Sequence, residues 1–517
     1  MERPQDIIII GGGIGGLGTA ALLAKRGHRV QLFEKNPKLG GRANVFTEQG
    51  FTFDMGPSWY LMPDVFEHFF ELLGEKVETH LKLTKLSPSY RVFFPDDPDY
   101  PTVDIFSDVE RDLKTLEKFE PGITEKFKRY LKRSGEQYEL AKDKFMYRNY
   151  NSPLDFLQRD FVKEGVKMNP LQTMESYLNK WFTDDRVKKI LEYTLVFLGS
   201  EPKKTPALYN IMNHIDFDMG VYYPEGGLYS IIEAVAAIAT KNGARLHTSS
   251  PVAKIMTDGN RATGVELADG RIEKADIVVS NADMTFTELE LLPEQLQTYP
   301  QKYWDKKVMG PSAFILYLGL KDEAKNIIHH NLRFATNWQD NFRDVFDEPR
   351  LPDDPSYYVS CPTKTDRTIA PEGKDMIMVL VPLAAGLEVT EEDKQHYRDK
   401  LIAMMEEDLN IPNLNDRIEV ERSYWHENFE QDYNAYKGTA LGLAHTLKQT
   451  ILRPGNKSKK VKNLLYVGAG TNPGIGVPIC LISAELAYKR ITGITHPHPI
   501  TGQVESLTKD EASKEGQ

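Results

Sequence analysis

The sequence predicts an α/β fold: a doubly wound parallel sheet assembled from separate parts of the chain, and a second lobe with a mixed sheet and a helical insertion. Three segments predict it. A strand–helix–strand unit with a glycine cluster begins the chain, an apolar helix and short strands occupy residues 228–280, and a last strand and helix with further glycines occupy residues 464–489. The length of 517 residues corresponds to about three lobes.

Composition and charge exclude several classes of protein. The chain is 40% hydrophobic and 27% charged, which fits an ordered globular protein rather than a disordered or fibrous one. Its formal net charge is −11; phosphate contacts need a concentrated basic face, so we expect no nucleic-acid partner. The two cysteines, Cys361 and Cys480, form no CxxC motif and favour a reducing compartment.

No targeting or membrane-spanning segment is expected. The apolar run Ile7–Ile10 is too short for a signal peptide and leads directly into glycines. No window approaches the ~18 continuous apolar residues of a spanning helix. We therefore expect a cytoplasmic protein that can touch a membrane only peripherally.

The first motif follows a buried strand, 6–10. Gly11 permits a tight turn, Gly13 allows the backbone to approach a pyrophosphate, and Gly16 allows the following helix to pack on the strand. The N-terminus of that helix supplies N–H groups and a positive dipole end to phosphates. A glycine-rich surface turn without a ligand is the alternative, but strand, helix and second strand follow in the order that dinucleotide binding requires.

An acidic residue indicates which dinucleotide fits. Glu34 ends the second strand, 18 residues after Gly16 and close to the ~20 residues at which an acid meets a ribose hydroxyl. A carboxylate there repels the additional phosphate of NADP. No second GxGxxG motif occurs, so we expect no second nucleotide domain and reoxidation by a quinone, oxygen or another diffusible acceptor.

Two further stretches, 40–42 and 54–58, follow the acidic residue. They resemble the glycines and arginine that follow the ribose-binding acid in amine-oxidase-like flavoproteins. The resemblance implies FAD rather than NAD as the cofactor. The residues that it places beside FAD are Gly41, Arg42, Gly56 and Pro57.

The middle of the chain returns to the same sheet. Residues 231–239 form one apolar helical face, and five short strands follow, with Asp269-Gly270 as a hairpin turn. The last of these strands, 276–280, is a buried one. Val252 begins the second, and by the same resemblance it would contact adenine; otherwise it is a core valine.

A second glycine cluster follows the strand that begins at Leu464. Gly470, Gly474, Gly476 and Val477 precede a helix that opens with a proline. Negative charge on a reduced flavin lies near N1 and the adjacent carbonyl, and a helix N-terminus placed there favours electron acceptance. The alternative is a glycine-rich turn without a ligand, but the pairing with the first motif favours a flavin.

Further motifs extend the resemblance to the bacterial-type carotenoid desaturase family, over about residues 6–493. The most specific are Tyr223–Gly227, Ala370–Gly373 and Asn472–Ala484. Asn472 departs from the pattern, because the family usually has histidine there. The resemblance implies a Rossmann-like FAD-binding domain, a lipophilic polyene substrate such as phytoene or a shorter diapo relative, and hydride transfer to flavin N5 with loss of a proton.

No catalytic base is assigned from the sequence. Asp54 and Glu225 lie beside family motifs and are candidates, with turn and helix-cap roles as the alternative. A polyene isomerase that uses reduced flavin, a soluble amine oxidase and a non-catalytic polyene-binding flavoprotein stay open as other functions. No metal is expected at His329-His330, because adjacent residues on a strand point apart and no third ligand has a fixed spacing.

Two segments are candidates for membrane contact, which a substrate soluble only in lipid requires. A helix after residue 122 has Phe127, Tyr130 and Leu131 on one face and basic residues on much of the rest. The apolar segment 153–162 is the other candidate. Packing against the core is the alternative for both. The expected location is the inner face of the cell membrane.

These inferences divide the chain into six segments. Residues 301–455 would form a substrate domain whose mixed sheet contains the strands 311–320 and 376–381, and residues 91–225 a helical, membrane-facing insertion. The tail, 496–517, is polar and aperiodic and is expected to be disordered. The FAD domain would be discontinuous and comprise residues 1–90, 226–300 and 456–495. No oligomeric state is predicted.

Overall fold

The computed structural model describes residues 3–152, 155, 163–165, 167–169 and 171–507, and of residues 197, 198 and 451 only the backbone. Within these ranges no helix is both long and apolar enough to span a bilayer. The strands, numbered in chain order, are β1 Asp6–Ile10, β2 Arg29–Phe33, β3 Val45–Glu48, β4 Phe51–Asp54, β5 Leu83–Lys85, β6 Tyr90–Phe93, β7 Thr102–Ile105, β8 Tyr222–Pro224, β9 Arg245–His247, β10 Val252–Asp258, β11 Arg261–Leu267, β12 Ile272–Lys274, β13 Ile277–Ser280, β14 Ser312–Leu320, β15 His330–Arg333, β16 Tyr357–Ser360, β17 Met376–Leu383, β18 Ile418–Tyr424 and β19 Leu464–Tyr466.

Helices make up much of the rest. The α-helices span Ile14–Arg26, Pro63–Leu72, Val77–His80, Val109–Phe119, Thr124–Ala141, Met174–Leu178, Asp185–Glu192, Ile211–His214, Tyr229–Lys241, Met284–Leu289, Gln301–Trp304, Trp338–Phe346, Glu391–Asp408, Leu414–Arg417, His426–Tyr433, Leu447–Ile451 and Val477–Thr492. Short 3₁₀ or π-helical segments span Lys142–Met146, Tyr193–Leu198, Ala207–Asn210, Ile215–Met219, Glu294–Leu296, Pro362–Lys364, Arg367–Ile369 and Tyr436–Gly438.

β1 lies at the centre of a five-stranded sheet with the order β19-β13-β1-β2-β9. Every pairing in it is parallel, which confirms the predicted doubly wound parallel sheet. From β1 the chain adds β2 and β9 on one side and β13 and β19 on the other, so the strand order reverses beside β1. Such a reversal opens a crevice at the carboxyl ends of the strands.

Helices cover one face of this sheet. Ile14–Arg26 packs between Tyr229–Lys241 and Val477–Thr492, and the approach is close at Gly18, where a Cβ would lie 3.2 Å from Ala484 Cβ. The other face is covered by the antiparallel sheet β10-β11-β12, whose buried side chains share a core with Ile8 and Ile10 of β1. The parallel sheet is therefore buried on both faces, as its continuous apolar strands require.

The predicted mixed sheet is also confirmed. It has seven strands in the order β18-β14-β17-β16-β15-β6-β7, and only the β15-β6 pair is parallel. β14 is buried along its whole length, which its almost entirely apolar sequence requires. β6 and β7 belong to this sheet, so the region expected to be a helical insertion also contributes strands to it.

The basic helix Thr124–Ala141 does not offer its apolar face to a membrane. Phe127, Tyr130 and Leu131 are buried inside the protein, and the Tyr130 hydroxyl donates a hydrogen bond of 2.5 Å to Asn213 Oδ1. Packing against the core is therefore the correct interpretation of this helix. The second membrane candidate, 153–162, lies outside the described residues apart from position 155.

Residues 496–507 do not form the predicted disordered tail. Val504 is 5% exposed, and its N–H donates a 2.8 Å hydrogen bond to Leu72 O. The carbonyl oxygens of His496 and His498 accept hydrogen bonds from the buried ammonium group of Lys489. These contacts are made by isolated residues at irregular spacing, so the hydrophobic periodicity of the sequence could not indicate them. Residues 508–517 lie outside the described residues.

We expect Val504→Asp to lower the free energy of unfolding by about 2 kcal/mol or more, because it buries a carboxylate that has no partner. Glu505→Asp, at the adjacent exposed position, is the matched control and should leave the thermal midpoint unchanged. Differential scanning fluorimetry compares both variants with the parent chain. Equal midpoints for the two variants would mean that the segment around Val504 contributes nothing to stability.

Candidate functional site: a cavity at the sheet edge

The carboxyl ends of the parallel strands meet at one edge of the sheet. Gly11 follows β1, Glu34 follows β2 and Asn281 follows β13. The Glu34 carboxylate accepts hydrogen bonds of 2.7 Å from the Gly12 N–H and 2.8 Å from the Asn36 N–H. Asn281 Nδ2 donates to Gly11 O at 3.3 Å. Side chains that follow β2 and β13 thus bond to the backbone of the glycine loop after β1 and hold the crevice.

The loop after β1 needs glycine where backbones approach closely. A Cβ at Gly16 would lie 2.2 Å from Gly11 O, and one at Gly13 would lie 3.0 Å from Asn281 Nδ2. Gly16 thus has the packing role that the motif predicts. The helix that follows, Ile14–Arg26, has no side-chain cap and no acidic residue in its first turn. Its first N–H groups are therefore oriented to bind an anion.

A second helix, Val477–Thr492, begins at the same edge. It follows Gly476 and also has no side-chain cap and no acidic residue in its first turn. Gly474 adopts φ +145° and lies against His445, since a Cβ there would be 2.5 Å from His445 Nε2. Two helix N-termini from opposite ends of the chain therefore direct their positive dipole ends toward one space.

That space is a cavity of about 950 Å³, near the upper end of the ~300–1,000 Å³ typical of small-molecule sites. Most of the predicted cofactor-binding residues line it: Gly11, Gly13, Glu34, Gly41, Arg42, Gly56, Pro57, Val252, Gly474, Gly476 and Val477. Gly16 and Gly470 do not. At Gly470 a Cβ would lie 3.0 Å from Met284 Cβ, which indicates close packing; its contact with the cofactor stays a prediction.

Arg42 places a positive charge in the cavity wall. Its Nη2 donates to Thr439 O at 3.2 Å, and its guanidinium group lies 5.8 Å from the centre of the Tyr433 ring. Its Nε is buried and has no hydrogen-bond partner in the structure. Burial raises the pKa of the neighbouring Asp283, although the charge of Arg42 acts in the opposite direction. Arg42 therefore has a donor to spare for a bound group.

The remainder of the cavity wall is mostly apolar and aromatic. Trp59 stacks on His330 with 4.1 Å between ring centroids, and the Tyr358 hydroxyl donates a 2.8 Å hydrogen bond to Ser58 Oγ. Other apolar wall residues are Met55, Leu61, Met62, Phe145, Met146, Met168, Tyr193, Met212, Ile215, Ile315, Leu332, Phe334, Leu380, Tyr424 and Phe429. Such a wall suits a long hydrophobic molecule.

His329 and His330 are engaged within the protein. His329 Nδ1 lies 2.7 Å from Thr365 Oγ1, and His330 Nδ1 lies 2.7 Å from the Tyr358 hydroxyl. Burial lowers the pKa of His329 to about 3 and that of His330 well below its usual value, so both rings are neutral at pH 7. Across the described ranges, no three His, Cys, Asp or Glu side chains are grouped to hold a metal ion.

Asp54 and Glu225 lie outside the cavity wall. Asp54 accepts hydrogen bonds of 2.8 and 3.0 Å from two backbone N–H groups at the start of helix Tyr229–Lys241. Burial raises the pKa of Asp54 to about 7, although these two hydrogen bonds act in the opposite direction. Glu225 is partly exposed and pairs with Lys82. The structure therefore gives both carboxylates the cap and turn roles that stood as the alternative.

The wall residues that the sequence did not predict include Trp59, Asn281 and Asp283. Asn281 and Asp283 directly follow β13, and their place at the carboxyl end of a parallel strand was the available signal. Trp59 follows the 54–58 motif by one residue, and no periodicity distinguishes it from a core aromatic.

Comparison with known proteins identifies the family. A sequence profile of flavin-containing amine oxidoreductases matches residues 14–492. The chain is 43% identical over 485 residues to the carotenoid 3,4-desaturase of Haloarcula japonica, covering 93% of this chain and 97% of that protein. It is 36% identical over 502 residues to the zeta-carotene-forming phytoene desaturase of Myxococcus xanthus, covering 96% of each.

Solved structures share the fold. An oxidoreductase from Methanosarcina mazei has a TM-score of 0.60 at 20% identity, over 93% of this chain and 99% of that one. Putrescine oxidase bound to putrescine has a TM-score of 0.60 at 14% identity, over 95% and 99%. At these identities the likeness establishes the fold alone. Because the profile and both desaturases match nearly the whole sequence, the chain belongs to the family of flavin-containing amine oxidoreductases.

Proposed function

We propose that the protein is an FAD-dependent desaturase of a long apolar polyene of the phytoene type. The observation that carries this proposal is one cavity with two helix N-termini at its glycine-lined part and mostly apolar, aromatic walls elsewhere. Relatives named carotenoid 3,4-desaturase and phytoene desaturase support the substrate class. Membership of a flavin-containing family supports FAD as the cofactor.

The residues of the crevice fit FAD. The uncapped start of Ile14–Arg26 would hold the pyrophosphate, Glu34 the ribose and Val252 the adenine. Each Glu34 oxygen accepts one backbone hydrogen bond and retains a lone pair for a ribose hydroxyl. The buried Nε of Arg42 has no partner in the protein and suits an oxygen of the cofactor. The segment 472–477 would face the flavin ring.

The residues of the chain position the polyene, give the cavity its shape and exclude water. When bound, FAD supplies a hydride acceptor at N5. The cavity has to hold one CH–CH unit of the polyene beside that atom, and because a polyene has no polar handle, shape and aromatic contact must orient it. Trp59, Tyr193 and Tyr358 line the cavity, and their ring faces stabilise positive charge that develops on carbon. Asp54 and Glu225 lie outside the wall, so the proposal gives them no part in proton loss.

A substrate dissolved in lipid has to enter from a membrane surface. Leu171 is 87% exposed and Leu452 is 55% exposed. Each lies within three residues of a cavity-lining residue, Met168 and Thr450 respectively. We infer that both leucines contact lipid beside the cavity, with the protein peripheral on the inner face of the cell membrane. A membrane quinone or oxygen would then reoxidise the cofactor.

Expression in cells that accumulate phytoene or diapophytoene tests the proposed reaction. Each added double bond lengthens the chromophore, so we expect coloured extracts whose absorption bands lie to the red of the precursor. With purified enzyme under anaerobic conditions, one flavin should be reduced for each double bond formed, which absorbance at the flavin band and product analysis measure together.

Three other outcomes of these experiments would each indicate a different function. Product formed without flavin reduction would indicate an isomerase. Peroxide released from putrescine, with no reaction of a lipid-dispersed polyene, would indicate an amine oxidase. Full FAD occupancy without bleaching by either polyene would indicate a binding protein.

Glu34→Ala should weaken FAD binding roughly tenfold to a hundredfold, because it removes charge-assisted hydrogen bonds to the ribose. Glu225→Gln, which changes a carboxylate outside the cavity wall, is the control. Quenching of flavin fluorescence on titration of the apoprotein measures both dissociation constants. Equal affinities in the two variants would contradict the placement of the ribose beside Glu34.

The double variant Leu171→Asp/Leu452→Asp should reduce binding to liposomes about tenfold or more, since each leucine would lose the free energy of burial in lipid. Ile272→Asp is the control, because Ile272 is 58% exposed on β12, outside the cavity wall. Co-sedimentation with anionic liposomes measures the bound fraction. If all variants sediment like the parent chain, these leucines are not the lipid contact.

A further inference from the structure

Arg453 is a buried cation directly behind the C-terminal glycine segment. The residue is 7% exposed. Its Nε donates to Thr471 O at 3.2 Å, and its Nη2 donates to Ala469 O at 2.9 Å and to Leu443 O at 3.2 Å. Its Nη1 is buried and has no hydrogen-bond partner. The guanidinium group thus holds the segment by its carbonyl oxygens and keeps one donor unused.

No carboxylate neutralises Arg453 among the described residues. The titratable groups that act on it are Tyr209, Tyr303 and Cys480. Burial raises the pKa of Tyr209 and of Cys480 to about 12 and that of Tyr303 above its usual value, so all three are neutral at pH 7. Burial lowers the pKa of Arg453 only to about 10, and the side chain stays charged.

The contrast with another buried arginine shows that this is unusual. Arg333 is 5% exposed and forms ion pairs with Asp354 and Asp408. A buried charge without a partner is costly, and proteins pair such charges or place them where a ligand supplies the counter-charge. Arg453 has no such ion pair among the described residues, which points to a ligand that supplies the counter-charge.

Its position identifies the ligand that would supply the charge. A Cβ built on Gly474 would lie 3.7 Å from Arg453 Cζ. Gly474, Asn472 and Cys480 line the cavity, so the guanidinium group lies one layer of backbone behind the wall that would face the flavin ring. A low-dielectric surrounding transmits its charge through that layer with little screening.

We propose that Arg453 is a positioning residue for electron acceptance: its charge acts through the 469–474 segment to stabilise negative charge on the reduced flavin and so raises the reduction potential of bound FAD. This inference rests on the proposed function. The hydride and its electron pair come from the polyene C–H bond; Arg453 neither gives nor takes a proton. An allylic C–H bond is a weak hydride donor, and a more oxidising flavin favours its oxidation.

The test is the midpoint potential of FAD bound to the purified protein, measured at pH 7 by equilibration with reference dyes. Arg453→Met removes the charge and keeps an unbranched side chain; Arg453→Lys keeps the charge without the planar fork. Arg490→Met is the matched control. Arg490 also donates to neutral oxygens, but it lies about 20 Å along its helix from Val477 and from the segment that would face the flavin ring.

We expect Arg453→Met to shift the midpoint potential to a more negative value, and Arg453→Lys and Arg490→Met to stay at the parent value. A purely structural role would lower the thermal midpoint of Arg453→Met without moving the potential of the FAD that it retains, and this result would overturn the inference. If Arg453→Met fails to fold, a parent-like potential in Arg453→Lys together with reduced FAD affinity supports it, and a potential in Arg453→Lys as negative as that of free FAD overturns it. Failure of the parent protein to bind FAD would instead refute the proposed function.

Discussion

The parallel pairing of β1, β13 and β19 is the constraint on which the site depends. Ile10 pairs with Ser280, and Ser280 pairs with Tyr466, so these strands end at the same level. Asn281 then lies between the two glycine clusters: a Cβ on either Gly15 or Gly468 would be 2.6 Å from its Oδ1. A slip of one residue in either pairing would invert the side chains of a strand and separate the clusters.

Charge is distributed unevenly between the surface and the cavity. The chain has a net charge of −11, yet the cavity receives two helix N-termini and the charge of Arg42, with Arg453 behind its wall. These positive features are fixed by backbone and packing, so they need no rearrangement when an anionic group binds. Most of the remaining cavity wall is apolar, and a low dielectric strengthens the effect of each positive feature.

Local patterns predicted the parts of the fold that local physics determines. The first strand–helix–strand unit, the mixed sheet and both glycine clusters follow from apolar periodicity and from glycine spacing within about 30 residues. Asn281, Arg453 and Val504 escaped prediction because their roles arise from contacts between residues far apart in the chain. The helix Thr124–Ala141 is amphipathic, and the pattern cannot distinguish burial against protein from burial in lipid.

The departure at Asn472 shows how much of the cavity depends on backbone rather than side chains. Ser483 Oγ accepts the Gly468 N–H at 3.1 Å and donates to Asn472 O at 3.0 Å, while Arg453 binds the carbonyl of the preceding residue, Thr471. None of these bonds involves the side chain at position 472. The path of the segment is therefore fixed independently of whether histidine or asparagine stands there, and the side chain is free to vary with what occupies the cavity beside it.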